Sequence, residues 1–252
     1  MITLNKLTIT FGGLTAVSNV DLGIAPGELV GLIGPNGAGK TTIFNLLTGL
    51  YRPTSGDMVF NGRSLLRLNP YEITSLGIAR TFQNIRLFDT LTVLDNVKIA
   101  YHWHGKYGLT GAFLRLPSFF RGEERMNQEA LEFLGVFGLA DKALELAKNL
   151  PYGEQRRLEI VRALAAKPKL LLLDEPAAGM NPQETRALMD LIGEIREKFD
   201  LTILLIEHDM SLVMGICERI YVLDYGRVIA EGNPLEIRHN PKVIEAYLGE
   251  EA

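Results

Sequence analysis

The sequence holds a single cysteine, Cys217, in 252 residues. One thiol cannot close an internal disulfide, which excludes a stapled secreted fold and points to a reducing compartment. Cys217 itself reads as a small buried apolar residue. Long apolar runs are lacking as well. The runs at 170–173 and 203–206 are far short of the ~20 residues a spanning helix needs. Residues 1–13 carry no extended apolar stretch and no cleavage signal. They read as a mature, soluble, cytoplasmic start, so any membrane role must come through a partner. A basic excess is also missing: 26 Lys and Arg stand against 30 Asp and Glu, for a net charge of −4. That removes nucleic acid as the main partner. What is present is ordinary globular material, 47% apolar and 22% charged, which excludes wholesale disorder. At roughly 150 residues per domain the length corresponds to about 1.7 domains.

The pattern along the chain is β-rich at first. Residues 2–9 alternate apolar and polar, the period of a half-buried strand, and Phe11-Gly12-Gly13 ends the run. Residues 17–24 alternate again before the Pro26-Gly27 turn. Residues 29–33 form a short apolar run, then a glycine-rich loop, then a helix over 41–47 that stops near Gly49. Late in the chain the order is strand at 170–173, helix over 183–198 with Leu188, Leu191, Ile192 and Ile195 on one stripe, and strands at 201–206 and 220–223. Asp224-Tyr225-Gly226-Arg227 reads as a hairpin turn into 228–230. Alternating strands and helices predict an α/β layer on a parallel sheet. Between about 89 and 165 the strand runs vanish and helical stripes take over: Ala130, Leu131, Leu134 and Phe137, then Leu158, Ile160, Val161 and Leu164. Residues 105–122 read as a loop or short insertion. The expected organisation is one domain, with 1–88 and 166–252 as its core and 89–165 as an inserted helical subdomain.

Gly34-Pro35-Asn36-Gly37-Ala38-Gly39-Lys40-Thr41 matches G-x-x-x-x-G-K-[ST] between a strand and a helix. Glycines let successive N–H groups turn inward around phosphate oxygens, and the helix N-terminus adds positive partial charge. Lys40 reaches the β- and γ-phosphates, Thr41 offers its hydroxyl to Mg²⁺, and Thr42 serves the α-phosphate. Lys169-Leu-Leu-Leu-Leu-Asp-Glu-Pro176 puts two carboxylates at the C-terminal end of a buried strand, where α/β sheets bind ligands. Asp174 fits the Mg²⁺ shell and Glu175 the base that polarises the attacking water. Buried acids of this kind need a cation or donors to balance them.

With these motifs in place, the sequence resembles the ATP-binding-cassette (ABC) ATPases over essentially its whole length. The resemblance implies a P-loop NTPase fold of the α/β class, with a RecA-like core, an N-terminal antiparallel β subdomain and an inserted α-helical subdomain. Thr81-Phe82-Gln83 looks like the family's Q-loop, in which Gln83 would touch Mg²⁺ and the water and link the site to the helical subdomain. Ile206-Glu207-His208-Asp209 looks like the switch segment, with His208 reaching the γ-phosphate; a solvated loop histidine is the alternative. Phe11 stands where the family stacks an aromatic ring on adenine, with Val17 packing on the same base; a core aromatic is the alternative for Phe11.

The signature segment departs from the common Leu-Ser-Gly-Gly-Gln, reading Leu150-Pro151-Tyr152-Gly153-Glu154-Gln155-Arg156-Arg157. The serine's role is not carried over to Pro151. A helix N-terminus near Gly153 can still face an anion, and Pro is tolerated in a first turn. Glu154 adds negative charge near phosphate unless it points away. Arg156 and Arg157 near Glu159 read as helix-surface charges. Ala178-Gly179-Met180-Asn181-Pro182 replaces Ser-Ala-Leu-Asp in the D-loop. These departures resemble the first ATPase subunit of branched-chain amino-acid importers, with urea, amide and lipopolysaccharide-export ATPases similar here. A non-transport cassette is a further alternative. The resemblance implies ATP and Mg²⁺, a second ATPase subunit, two membrane permease subunits, an indirect binding-protein partner and a peripheral place on the cytoplasmic face of the membrane. Ile85, Leu87, Phe88 and Leu91 are candidate groove residues for a permease helix, or ordinary subdomain core. A GTPase reading fails on the guanine motif: Asn5-Lys6-Leu7-Thr8 lacks the acid and precedes the P-loop. His102-Trp103-His104 lacks the further ligands of a metal site.

Overall fold

The computed structural model describes residues 1–101 and 117–248. It divides into two compact units, Met1–Arg80 with Lys169–Ala252, and Thr81–Pro168. The His102-Trp103-His104 segment lies outside the described residues.

In the first unit, β1 (Ile2–Phe11), β2 (Leu14–Ile24), β4 (Ser55–Phe60) and β5 (Arg63–Ser64) form an antiparallel sheet in the order β2-β1-β4-β5. The alternation of β1 is interrupted between Leu4 and Leu7, where the register shifts and Lys6 takes φ 45°. That irregularity is why Leu4 and Leu7, at odd spacing, both turn inward. The second sheet runs β10-β9-β3-β8-β7-β6. It contains β3 (Leu29–Ile33), β6 (Ile78–Arg80), β7 (Leu170–Asp174), β8 (Thr202–Ile206), β9 (Arg219–Asp224) and β10 (Arg227–Gly232). Every neighbouring pair is parallel except β9 with β10 at the edge. β3, β7 and β8 are buried along their whole length, as expected of parallel strands covered on both faces.

Helix α1 (Lys40–Leu47) follows β3 and contributes Ile43, Phe44, Leu46 and Leu47 to an apolar cluster that also takes side chains from both sheets. The other helices of this unit are α2 (Pro70–Leu76), α6 (Pro182–Lys198), α7 (Met210–Ile216), α8 (Pro234–Arg238) and α9 (Pro241–Leu248). Helix α6 begins where the sequence supplies a full start signal. The Asn181 side chain accepts from Gln183 and Glu184 N–H, Glu184 reaches back to Asn181 N–H, and Pro182 opens the helix. The hydrogen-bonding capacity of this D-loop asparagine therefore serves the cap.

The second unit is helical. It holds α3 (Val93–Tyr101), α4 (Pro117–Val136) and α5 (Tyr152–Ala165). Three points differ from the sequence reading. Residues 117–122, expected to continue a loop, are the first turns of α4, opened by Pro117. Leu131 is 40% exposed, because the buried stripe runs Met126, Ala130, Leu134 and Phe137 at spacings of four, four and three, and Leu131 lies a further 100° round. The unit boundary also falls at 80/81 and 168/169 rather than at 88/89 and 165/166. The backbone of 82–86 is bonded to side chains of α5, and Lys167 is tied to Glu129 of α4.

Cys217 follows α7 and is 5% exposed. A Cβ on Gly31 of β3 would stand 3.1 Å from its Sγ, so the glycine makes the space the thiol occupies. Burial pushes the thiol pKa up to about 12. The thiolate is the reactive form, so Cys217 in the native protein at pH 8 should react with a disulfide reagent at least about 100-fold more slowly than in the unfolded chain. Equal labelling rates under native and denaturing conditions would contradict this burial.

Candidate functional site

Parallel pairing brings the C-terminal ends of the central strands to one edge. Leu32 of β3 and Asp174 of β7 both stand opposite Ile206 of β8. The ends of these strands and the loops that follow carry the P-loop, Asp174-Glu175 and Glu207-His208. Three segments far apart in sequence thus converge because their strands are neighbours.

The P-loop is shaped from inside and outside. Gly34 has φ 146°, and a Cβ there would lie 2.0 Å from the Leu223 carbonyl oxygen. Only glycine lets the loop leave β3 against β9. The Ala38 carbonyl accepts from Gly226 N–H at 2.9 Å, which ties the loop to the β9–β10 hairpin. Lys40 is buried, and its ammonium donates to the Gly34 and Pro35 carbonyls at 2.6 and 2.8 Å. Its charge is therefore held within the loop. Helix α1 has no side-chain cap and no acid in its first turn, which leaves its positive end open to an anion. Thr41 is exposed and Thr42 half-buried; Pro35 and Ala38 are buried, while Asn36 and Gly37 are exposed. A cavity of about 450 Å³ lies beside residues 35–38, walled by the Tyr225 turn and by Lys242 and Glu245 of α9.

Asp174 is 2% exposed. Its Oδ2 accepts from Arg80 at 2.7 Å, and the other guanidinium arm of Arg80 donates to Asn45 Oδ1 at 2.7 Å. The same guanidinium lies 5.4 Å from the Phe44 ring centre. Arg80 thus joins the last residue of β6 to β7 and to α1. No local pattern marks it, because an arginine before a Q-loop motif looks like any strand-end charge.

Glu175 takes φ 47°, the left-handed region, which is uncommon for a residue with a side chain and frequent at functional turns. Its Oε1 meets His208 Nε2 at 2.6 Å. The His208 side chain is 45% exposed and that of Glu175 12%, so the pair faces outward from the sheet edge. Glu207 was not singled out in sequence, yet it is buried and accepts from Ala177 N–H at 2.8 Å and His208 N–H at 3.2 Å. It joins the start of the D-loop to the switch segment. Burial holds its carboxyl above the ordinary range, with Glu175 nearby adding to the rise and the two N–H donors opposing it.

Phe11 is 43% exposed and meets Tyr51 edge-on, with ring centres 5.1 Å apart. The expectation for Val17 needs correction. It is fully buried in the apolar cluster, so it supports the P-loop from beneath rather than offering a face to a base.

Gln83 and Gly153 lie in the helical unit, Gln83 exposed and Gly153 half-buried in the first turn of α5. Pro151 is the N-cap residue of that helix. Glu154 is held by Lys142 at 2.6 and 2.7 Å, so its charge is compensated locally. The expectation of helix-surface charges at Arg156 and Arg157 near Glu159 is overturned for Arg156: the side chains of Arg156 and Glu159 are 0% and 1% exposed. They lie on the inner face of α5 and bond the backbone of 82–86. Arg157 is half exposed and donates to the Phe137 carbonyl. Of the candidate groove residues, Phe88 is exposed and Ile85, Leu87 and Leu91 are half-buried.

Comparison with known proteins decides the family. The family model for ABC transporters matches residues 17–178. The chain belongs to the ABC transporter family. A second model, for branched-chain amino acid ATP-binding cassette transporters, matches residues 227–252 of the same cassette. The cassette is 50% identical to the high-affinity branched-chain amino acid transport ATP-binding protein LivG of Escherichia coli strain K12, over 99% of this chain and 98% of that one. It is 46% identical to BraF of Pseudomonas aeruginosa, which carries the same description, over 97% and 96%. Among solved structures it resembles an ATP-binding cassette of an ABC transporter in its ADP conformation, with TM-score 0.86, 30% identity and coverage of 99% and 98%. The ABC-ATPase fold, nucleotide binding and ATPase activity follow from that membership.

The Arg80–Asp174 pair supports a direct test in this cassette. The side chains are 6% and 2% exposed, and removing one partner of a buried pair costs about 3–5 kcal/mol. Arg80→Ala should lower unfolding stability by that amount in urea denaturation. A loss under about 1 kcal/mol would show that the pair contributes no more than a surface bridge.

Proposed function

We propose that this cassette is the ATP-hydrolysing subunit of an importer for branched-chain amino acids. The observation that carries the enzymatic half is the Glu175–His208 contact at 2.6 Å, on the sheet edge that also bears the P-loop. The substrate half rests on what the names of the full-length relatives say and on the match of the C-terminal segment.

In this reading the backbone of Gly34, Pro35, Asn36, Gly37, Ala38 and Gly39 wraps the phosphates, and Lys40 exchanges its carbonyl bonds for phosphate oxygens. Thr42 bonds the α-phosphate and Phe11 stacks on the adenine. Glu175 takes the proton of the attacking water. His208 holds the Glu175 carboxylate and bonds the γ-phosphate. Gln83 and Gly153 take the roles of their motif positions, Gln83 toward metal and water and Gly153 toward an ATP held by the opposite cassette.

The residues suit Mg²⁺. Among the described residues no three His, Cys, Asp or Glu gather into a metal cage. Thr41 and Asp174 offer hard oxygens. Mg²⁺ keeps several waters and is bound through one or two carboxylates and substrate phosphates. When bound with the nucleotide it supplies charge neutralisation at the β- and γ-phosphates.

Among the described residues no helix is long and apolar enough to cross a membrane. On the strength of its transport relatives, the reading includes a second cassette, two membrane permease subunits and, through them, a binding protein, with this chain peripheral at the cytoplasmic face. ATP drives closure of the two cassettes by its higher affinity for the closed pair.

Glu175→Gln should retain ATP binding, stabilise an ATP-bound dimer and slow hydrolysis by roughly 100- to 10,000-fold; unchanged turnover would sink the assigned base. Lys40→Ala should weaken ATP binding itself, so a calorimetric titration with native affinity would remove Lys40 from the phosphate site. Uptake of radiolabelled leucine by vesicles holding the cassette with its membrane subunits tests the substrate; uptake of urea or amides instead would redirect it.

A further inference from the structure

The helical unit contains an ion pair that a folded helix surface does not need. Arg156 and Glu159 stand one turn apart on α5, meet at 3.0 Å and are 0% and 1% exposed. Replacing such a pair by apolar residues is often neutral or stabilising, so packing alone does not call for charges here. Their partners show what the charges do. The two guanidinium arms donate to the Phe82 carbonyl at 2.7 Å and the Gln83 carbonyl at 2.6 Å. One carboxylate oxygen of Glu159 accepts from Phe82 N–H at 3.4 Å and Arg86 N–H at 3.3 Å. The stretch 82–86 has no regular secondary structure, and its backbone groups need partners. One ion pair supplies four. The same guanidinium also bonds Tyr152 Oη at 3.3 Å, one turn back, beside Gly153.

We infer that the Arg156–Glu159 pair is a positioning element that locks the backbone of Gln83 to the signature helix. Gln83 and the first turn of α5 are then held as one piece within the helical unit. An arginine is required because only a planar fork reaches two successive carbonyls and a carboxylate together; a lysine ammonium on one flexible stem does not. The inference rests on the reading of Gln83 as the Q-loop glutamine.

The test uses the full chain and Arg156→Lys, which keeps charge and bulk, with Glu159→Gln as a second variant should the first fail to fold. Amide hydrogen exchange is measured without and with ATP. In the wild-type chain, ATP should change protection of 81–88 and 150–156 together. In Arg156→Lys, exchange at Phe82 and Arg86 should rise about 10-fold or more, and ATP should change the two segments independently. Turnover is measured in a cycle with Gln83→Ala. Arg156→Lys should lower kcat by about 10-fold in the wild-type background and by under about 2-fold in the Gln83→Ala background, with ATP affinity unchanged. Native exchange at 82–86, or equal loss of kcat in both backgrounds, would overturn the inference. Unchanged kcat in Gln83→Ala alone would overturn the role of Gln83, a separate result.

Discussion

A carboxylate at the end of a buried strand has to be compensated where it stands, and most of the chemistry of this cassette follows from that constraint. The apolar runs 170–173 of β7 and 203–206 of β8 are buried throughout and lead into Asp174-Glu175 and Glu207. Water cannot solvate acids in that position well, and each has acquired a different partner. Asp174 has a guanidinium, Glu175 an imidazole, and Glu207 two backbone N–H groups. These solutions are not equivalent. The guanidinium is fixed by Asn45 and by the Phe44 ring, which makes it a strut. The imidazole is nearly half exposed, so it can respond to a ligand. The N–H groups belong to Ala177, just before the D-loop, and to His208 of the switch segment, so Glu207 joins the two.

The helical unit meets the same constraint in a different way. Its buried pair is balanced internally and then used to hold an irregular stretch of backbone. In both units charge is buried where segments must keep a fixed mutual position, and the polar groups satisfied are those of loops. Apolar packing sets the layers; the ionic contacts set which loop lies where.

This division explains what could be read from the sequence. β3, the P-loop and α1 were legible because a short apolar run, a glycine spacing and a helix start are all local signals. Asp174 and Glu175 were legible because an apolar run with acids at its end, ambiguous by itself, stands in the same chain as a P-loop motif. Arg80 was not, because its partners Asn45 and Asp174 lie 35 and 94 residues away; nor was the Arg156–Glu159 pair, because an i, i+3 Arg–Glu pair looks the same on a solvated face and on a buried one. What distinguishes them is a partner about seventy residues away, the backbone of 82–86, which has no residue type to recognise. Val17 failed for a related reason: strand alternation gives its side chain a face but does not say whether that face meets a base or the core.

The altered signature segment fits the same view. Pro151 takes the N-cap position, where a missing N–H costs the helix nothing. Glu154 places a negative charge in the first turn of α5, yet Lys142 holds both its oxygens, so the helix end is not made repellent to an anion. Tyr152 brings a hydroxyl to the Arg156 guanidinium, one more contact binding the first turn to the pair that holds the Q-loop. In this chain the first turn of α5 is thus anchored by side chains of the helical unit. In such a helix the first turn of α5 is held by Arg156 and Glu159 to the backbone of Phe82 and Gln83.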